Sequence, residues 1–190
     1  MPLRALALIL WLASVQAHAL ELAGVTVEPR SRVGGETLVL NGAGVRSMFL
    51  FKVYVAALYV PAPSDRFAQI ADQPGAKRLQ LTLLRDVDGE RLLNGMHEGL
   101  RKNLGAQEQA ALAESIERFS AILRSLGNGR KGDRIALDWI PGEGTVVRIN
   151  DVPHGPPLAG EAFYRALLRI WLGDAPAQPS LKDALLGHKG

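Results

Sequence analysis

The chain has 190 residues, of which 47% are apolar, and a formal charge of +3 from 22 basic and 19 acidic residues. This length is enough for one domain with a hydrophobic core. The small and dispersed excess of positive charge is not typical of a nucleic-acid-binding protein. Because the chain contains no cysteine, disulfides are excluded and stability must come from burial.

Residues 1–19 have the features of a cleaved signal peptide. A basic n-region precedes the apolar run Ala5–Ala13, and the small residues Ala17 and Ala19 form an Ala-x-Ala cleavage site. The run is too short to span a bilayer, which disfavours the alternative of an N-terminal membrane anchor. We therefore expect cleavage after Ala19, and a periplasmic or secreted chain in which residues 20–190 form a single domain with no stable membrane anchor.

The first half of the chain is rich in strand signals. Residues 22–40 predict strand and turn, and a glycine-rich bend is expected at Gly42–Gly44. Phe49–Val60 is rich in aromatic and β-branched residues and predicts a long, mostly buried strand. A short helix is expected over Phe67–Asp72, and the alternating segment Lys77–Arg85 predicts another strand.

The middle of the chain changes to helical periodicity. The first helix follows an N-cap at Asp86 or Asp88 and stops at Gly105. A second helix is expected over Gln107–Leu126. Its buried residues are expected to be Leu112, Ile116, Phe119, Leu123 and Leu126.

The last third of the chain predicts a hairpin followed by helices. The strands Asp133–Trp139 and Thr145–Ile149 are separated by Pro-Gly-Glu-Gly. Asn150–Gly160 is expected to be a loop, Glu161–Trp171 a helix, and Ser180 the cap of a final short helix. Strands, paired helices, a hairpin and further helices together indicate an α+β domain.

Arg46 is the first candidate for a ligand contact. It lies beside the long apolar run in Asn41–Val60, where only Lys52 is also cationic. A guanidinium beside so much apolar sequence requires an anion or several acceptors. The alternative is an ordinary salt bridge at the end of a strand.

Two segments resemble a known family. They are similar to the chalcone isomerase fold, most closely to its bacterial chalcone-isomerase-like branch. The segments are Asn41–Val60, NGAGVRSMFLFKVYVAALYV, and Phe163–Gly187, FYRALLRIWLGDAPAQPSLKDALLG. The resemblance extends from about Leu38 to Gly187. It implies an antiparallel sheet with helices packed on one side.

The resemblance also implies a test for catalysis. Chalcone isomerases use an arginine after the glycine segment, a threonine on the next strand, and a tyrosine and an asparagine on a helix, and the arginine helps to meet enolate charge. Arg46 matches the arginine and is the catalytic candidate if the protein is an enzyme. Tyr54 stands at the threonine position, while Asp88 and Gly95, or Asn94 after a one-residue slip, stand near the other two.

An arginine and tyrosine pair is instead similar to the non-enzymatic, fatty-acid-binding relatives of this fold. The fork of Arg46 matches a carboxylate, and the phenol of Tyr54 adds a neutral donor. The alternative for Tyr54 is an ordinary strand aromatic; Tyr59, Tyr164 and Trp171 are expected to serve packing. The apolar tail of the ligand is expected to contact some of Met96, Leu100, Phe119 and Leu123.

This pairing makes a geometric demand. On one continuous strand, eight residues at roughly 3.3 Å each would separate Arg46 from Tyr54 by about 26 Å. No carboxylate could touch both side chains. The chain must therefore reverse between about Ser47 and Leu50.

Three functions follow as hypotheses. The first is an exported, non-catalytic protein that binds a fatty acid or another amphipathic carboxylate. The second is an intramolecular lyase or isomerase acting on a phenolic enone, and the third is a structural or partner-binding exported protein. No cofactor or metal is expected, because the glycines do not complete a dinucleotide motif and His97, His154 and His188 lack ligand spacing.

Overall fold

The computed structural model describes residues 19–188. Seven strands form one antiparallel sheet in the order in which they occur along the chain, and a separate two-stranded hairpin precedes them. The hairpin consists of β1 (Leu20–Leu22) and β2 (Val25–Val27). The large sheet consists of β3 (Arg30–Val33), β4 (Glu36–Met48), β5 (Phe51–Val60), β6 (Lys77–Leu83), β7 (Arg134–Ile140), β8 (Gly144–Ile149) and β9 (Val152–Leu158).

Six helices connect or follow these strands. They are α1 (Phe67–Asp72), α2 (Gly89–Asn103), α3 (Ala106–Ala111), α4 (Ala113–Leu126), α5 (Glu161–Leu172) and α6 (Pro179–Leu185). The larger core cluster joins all of them except α3 to one face of the sheet, and a smaller cluster lies on the other face with residues of β1 and β2. The predicted α+β architecture, with an antiparallel sheet and helices on one side, is confirmed.

The two faces follow from alternation along β5. Tyr54, Ala56 and Leu58 belong to the helix side, whereas Val55 and Ala57 belong to the opposite cluster. Every one of these side chains is buried. A strand covered on both faces reads as a continuous apolar run, as β5 does in the sequence.

The expected bend at Gly42–Gly44 is wrong, because both glycines lie within β4. Their role is to admit α6. A Cβ on Gly42 would overlap the carbonyl oxygen of Ala184, and one on Gly44 would lie 2.8 Å from the Cβ of the same alanine. Glycine is required here for close approach of a helix to the sheet rather than for a turn.

The loop expected over Asn150–Gly160 is also wrong, because most of it is β9. This strand pairs with β8 alone and lies at the edge of the sheet. An edge strand has one side without ladder partners, so it tolerates the prolines that suggested a loop, Pro153, Pro156 and Pro157.

Several helix boundaries differ from the prediction. Asp88 is the N-cap of α2, with its side chain accepting a hydrogen bond from the backbone N–H of Arg91, but the helix ends before Leu104 rather than at Gly105. The expected second helix is interrupted at Leu112, where φ is −101° and ψ is 6°. The last helix is capped by Gln178 and not by Ser180, since Pro179 occupies its first turn.

Candidate ligand-binding site

The β4–β5 hairpin brings Arg46 and Tyr54 together. The chain turns at Phe49 and Leu50, and Arg46 lies directly opposite Tyr54 in the antiparallel register. The reversal that the pairing requires is therefore present. Opposed side chains of neighbouring strands lie on one face of a sheet, and Tyr54 belongs to the core cluster on the helix side.

Arg46 is held in place by one edge of its guanidinium. Its Nη1 donates to the carbonyl oxygen of Ser47 at 2.6 Å and to Oε1 of Gln178 at 3.2 Å. The same Oε1 accepts from the backbone N–H of Ser47 at 2.9 Å. Gln178 directly precedes α6, so the position of that helix fixes the direction of the arginine.

Apart from its interaction with the phenol of Tyr54, the guanidinium has no further protein acceptor in the described part of the chain. None of the hydrogen bonds there involves Nε or Nη2 of Arg46, and no carboxylate forms an ion pair with it. A salt bridge at the strand end is thus not observed among residues 19–188. Nε and Nη2 form the side-on fork that binds a carboxylate in two parallel hydrogen bonds.

Tyr54 is buried close to the hairpin turn, and its hydroxyl accepts a hydrogen bond from Nε1 of Trp171 at 2.9 Å. Burial raises the pKa of the Tyr54 phenol, and the Trp171 hydrogen bond, the charge of Arg46 and a hydrogen bond from Arg46 oppose part of that rise. The phenol therefore stays protonated at neutral pH. Its own proton has no acceptor within residues 19–188, although a phenol can donate as well as accept.

Both side chains line a cavity of about 700 Å³ between the sheet, α2 and the end of α5. This volume lies within the range of roughly 300–1,000 Å³ that is typical of small-molecule sites. Much of its wall is apolar. The apolar residues farther from the hairpin turn are Val53, Leu81, Leu92, Met96, Ile170 and Ala177.

The residues expected to contact a ligand tail are not all at this cavity. Met96 lines it, whereas Leu100, Phe119 and Leu123 do not and instead lie in the core cluster. Phe119 packs edge-on against Phe163 with 5.6 Å between ring centroids. Helical spacing identified these residues as buried, but it could not distinguish a cavity wall from a filled core.

The positions implied for catalysis also surround the cavity. Asp88, Asn94 and Gly95 all line it. The carboxylate of Asp88 is engaged in capping α2, and Gly95 has no side chain to offer. No tyrosine occurs anywhere in α2.

Two residues of the site were missed by sequence reasoning. Gln178 was not singled out, and Trp171 was expected only to pack. Each reaches the β4–β5 hairpin across more than a hundred residues of chain, and the Trp171–Tyr54 bond spans 117. A proline immediately after Gln178 marks a helix start and is the one local signal that could have drawn attention to it.

A second polar pair lies away from the cavity. Nε2 of His97 is 2.6 Å from Oγ of Ser120, whose hydroxyl also lies 2.7 Å from the carbonyl oxygen of Ile116. Ser120 is fully buried and neither residue lines the cavity. The pair thus forms a hydrogen bond between α2 and α4 at a serine that has no exposed surface.

Within residues 19–188, no group of three or more histidine or acidic side chains is arranged to hold a metal ion. No helix in the same range is long and apolar enough to cross a membrane. The predicted signal peptide, residues 1–19, lies outside the described residues except for Ala19.

Comparison with known proteins agrees with this architecture. A family model described as chalcone isomerase-like matches residues 19–187. No curated protein sequence matches the chain. Among solved structures, a fatty-acid binding protein from Arabidopsis thaliana superposes with a TM-score of 0.64 and 14% sequence identity, over 86% of this chain and 92% of the plant protein. At this identity the likeness concerns the fold.

Proposed function

The chain belongs to the chalcone isomerase-like family, and we propose that it is a non-catalytic member that binds a fatty acid or another amphipathic carboxylate. The head of the ligand lies between Arg46 and Tyr54. Its tail lies along the apolar wall of the cavity, which includes Met96.

The observation that carries this proposal is a pair of donor groups at one point of the cavity wall, the buried phenol of Tyr54 and the partly buried guanidinium of Arg46. Tyr54 has a hydroxyl proton without a protein acceptor, and the Nε and Nη2 edge of Arg46 is likewise without one among the described residues. Tyr54 is buried, and a buried donor without a partner costs about 1–3 kcal/mol. A carboxylate is acceptor-only when ionised and can satisfy the guanidinium and the phenol at once.

The shape of the cavity is consistent with a ligand that has a polar head and an apolar tail. Its volume is about 700 Å³, and apolar side chains from α2, α5 and the sheet line it away from the arginine. A protein with a purely structural motif would fill this space with side chains, since interiors are close-packed. The similar plant structure is that of a fatty-acid binding protein, which points in the same direction.

The absence of catalysis is inferred from the donors that are lacking. A chalcone substrate develops enolate charge, and acceleration requires interactions that strengthen in the transition state. Tyr54 replaces the threonine of the catalytic pattern, and α2 supplies no tyrosine. Arg46 can therefore bind such a substrate without accelerating its cyclisation.

A second candidate function is an intramolecular lyase acting on a chalcone-like enone. The specific observation in its favour is that Asn94 lines the same cavity as Arg46. Following the chalcone absorbance band distinguishes the two functions. Conversion to flavanone above background, lost in Arg46→Ala, would replace the binding proposal with the enzymatic one.

We further propose that the protein acts after export, with cleavage after Ala19. Intact-mass measurement of the periplasmic fraction tests this directly, because cleavage predicts a chain that begins at Leu20. A mature chain that retains Trp11 would refute it.

The central test is identification of the bound molecule. Protein purified from its native host is extracted with organic solvent, and the extract is analysed by mass spectrometry. A stoichiometric fatty acid or related carboxylate, absent from the Arg46→Ala protein, is the expected result. A neutral aromatic ketone, or a wild-type protein that neither carries a carboxylate nor binds added fatty acid, would contradict the proposal.

A further inference from the structure

The turn between β4 and β5 exposes large apolar side chains. Phe49 and Leu50 are each 97% exposed, and their neighbours Met48 and Phe51 are 51% and 60% exposed. We call these four consecutive residues the hairpin tip. No other run of four exposed large apolar residues occurs among residues 19–188.

The composition of the hairpin tip gives the fold no evident benefit. Two-residue hairpin turns favour glycine, asparagine or aspartate where φ is positive, yet Phe49 occupies such a position with a φ of 54°. Side chains as exposed as those of Phe49 and Leu50 bury almost no surface against the protein. A strained phenylalanine beside an exposed leucine therefore indicates a contact outside this chain.

The hairpin tip is continuous with the ligand cavity. Met48, Phe49 and Phe51 line its outer end, and Arg46 lies two residues before the tip. An apolar surface that meets the tip would thus also meet the entrance of the cavity. This continuity argues for a partner that can supply or receive an amphipathic molecule.

Cations flank the hairpin tip. Lys52 follows it directly, the guanidinium of Arg85 lies 4.7 Å from the centre of the Phe51 ring, and Arg91 lines the same cavity. Within residues 19–188 none of these three side chains forms an ion pair.

Two of the nearby acidic side chains accept hydrogen bonds from backbone N–H groups, and a third forms an ion pair. Asp86 accepts from the backbone N–H of Lys131, and Asp88 from that of Arg91. Glu98 is paired with Lys102 at 2.6 Å. Arg46, Lys52, Arg85 and Arg91 thus outnumber Asp86 and Asp88 near the tip. An excess of positive charge around an apolar point is complementary to an anionic lipid surface, where headgroups attract the cations and acyl chains receive the apolar side chains.

We propose that the hairpin tip docks the protein reversibly on an anionic phospholipid bilayer, with Phe49 and Leu50 inserted and the cavity entrance facing the lipid. Two apolar side chains and a few cations give weak, salt-sensitive binding rather than stable anchoring. The docking itself does not require the ligand. Transfer of a fatty acid between bilayer and cavity follows from docking and rests on the proposed function.

The test is co-sedimentation of the mature chain with vesicles in the absence of fatty acid. We expect partitioning onto vesicles of phosphatidylglycerol and phosphatidylcholine, weaker partitioning onto phosphatidylcholine alone, and release by salt. Leu50→Asp should lower the partition coefficient by at least about tenfold, because it removes an inserted side chain and adds a negative charge. Leu50 does not line the cavity, so the affinity for fatty acid in solution should be unchanged.

Val152→Asp is the matched control, because Val152 is also an exposed apolar residue, at 58%, but lies on β9, outside the hairpin tip. It should leave partitioning within about twofold of wild type, a difference much smaller than one decade. The proposal would be overturned if both variants lost partitioning onto vesicles equally, or if the wild-type protein did not bind anionic vesicles. A dimer that Leu50→Asp dissociates while vesicle binding persists would also overturn it, since the tip would then be a protein interface.

The two proposals fail separately. Vesicle docking without any affinity for fatty acids would leave the inference intact and remove the proposed function. Fatty-acid binding with no docking would do the reverse.

Discussion

Removing the guanidinium of Arg46 should weaken binding of a fatty acid far more than binding of its methyl ester. The side-on edge of Arg46 has no protein acceptor among the described residues, so a carboxylate would supply its hydrogen bonds. A hydrogen bond to a charged group contributes about 1.5–3 kcal/mol. At 1.4 kcal/mol for each factor of ten, Arg46→Ala should lower the affinity for the acid by roughly ten- to hundredfold.

The ester makes the comparison specific to the head group. It keeps the tail and one carbonyl acceptor but carries no charge, so its affinity should fall by at most about tenfold, the effect of a neutral hydrogen bond of about 0.5–1.5 kcal/mol. Arg85→Ala is the matched protein control, because Arg85 lines the same cavity but stacks on Phe51. It should lower the affinity for the acid much less than Arg46→Ala does.

Displacement of a fluorescent fatty acid measures all six affinities, and melting curves establish that each variant is folded. Arg46 makes only two side-chain hydrogen bonds within residues 19–188, so its removal should cost little stability. An equal loss for acid and ester in a folded Arg46→Ala protein would show that the arginine does not bind a carboxylate. Unchanged affinity for both ligands would end the site hypothesis.

Three further outcomes follow from the same structure. Tyr54→Phe should lower the affinity for fatty acid by about tenfold or less, as measured by titration. It should also lower the free energy of unfolding by about 1–3 kcal/mol, because it leaves the N–H of Trp171 buried without an acceptor. Unchanged stability in denaturant unfolding would contradict the Trp171–Tyr54 hydrogen bond. Burial raises the pKa of all three tyrosines, that of Tyr59 to about 12, so the native protein should show no phenolate absorbance step near pH 10. Because the unfolded chain loses these protons first, at about pH 10, the free energy of unfolding should fall as the pH rises beyond that value, and a native step at pH 10 would refute the burial. Gly42→Ala should lower the free energy of unfolding by about 1–3 kcal/mol, since its Cβ would overlap α6. Gly95→Ala should raise the free energy of unfolding by about 0.5–1 kcal/mol, because nothing lies within 4 Å of its Cβ. Equal melting temperatures for the two variants would exclude the close approach of α6 to β4.

Local sequence patterns were sufficient for much of the fold. The helix over Phe67–Asp72 and the hairpin around Pro-Gly-Glu-Gly lie where periodicity and turn residues predicted them. The pairing of Arg46 with Tyr54 came from the family resemblance, and the reversal of the chain that it required is present in the β4–β5 register. In each case the determining interactions lie within a few residues of the pattern.

Features that depend on distant contacts were not accessible in this way. Gly42 and Gly44 suggested a bend, yet they are needed because α6, some 140 residues later, lies against β4. The prolines of β9 suggested a loop, yet they are tolerated because that strand lies at the edge of the sheet. A glycine or proline indicates a backbone requirement, but its neighbours in space decide which requirement it meets.

Contacts with distant residues also decide whether Tyr54 is a packing residue or a hydrogen-bond donor to a ligand. A strand aromatic fills space and needs nothing more, but the phenol of Tyr54 already accepts from Trp171 and retains a proton that no described residue receives. The phenol oxygen accepts that bond with one lone pair, and its proton remains available to an acceptor on a ligand. Arg46 lies opposite on β4 and can only donate, because a guanidinium has no acceptor. A guanidinium beside a phenol with an available proton favours a ligand that brings several lone pairs, which is the chemical reason to expect a carboxylate at this point of the cavity.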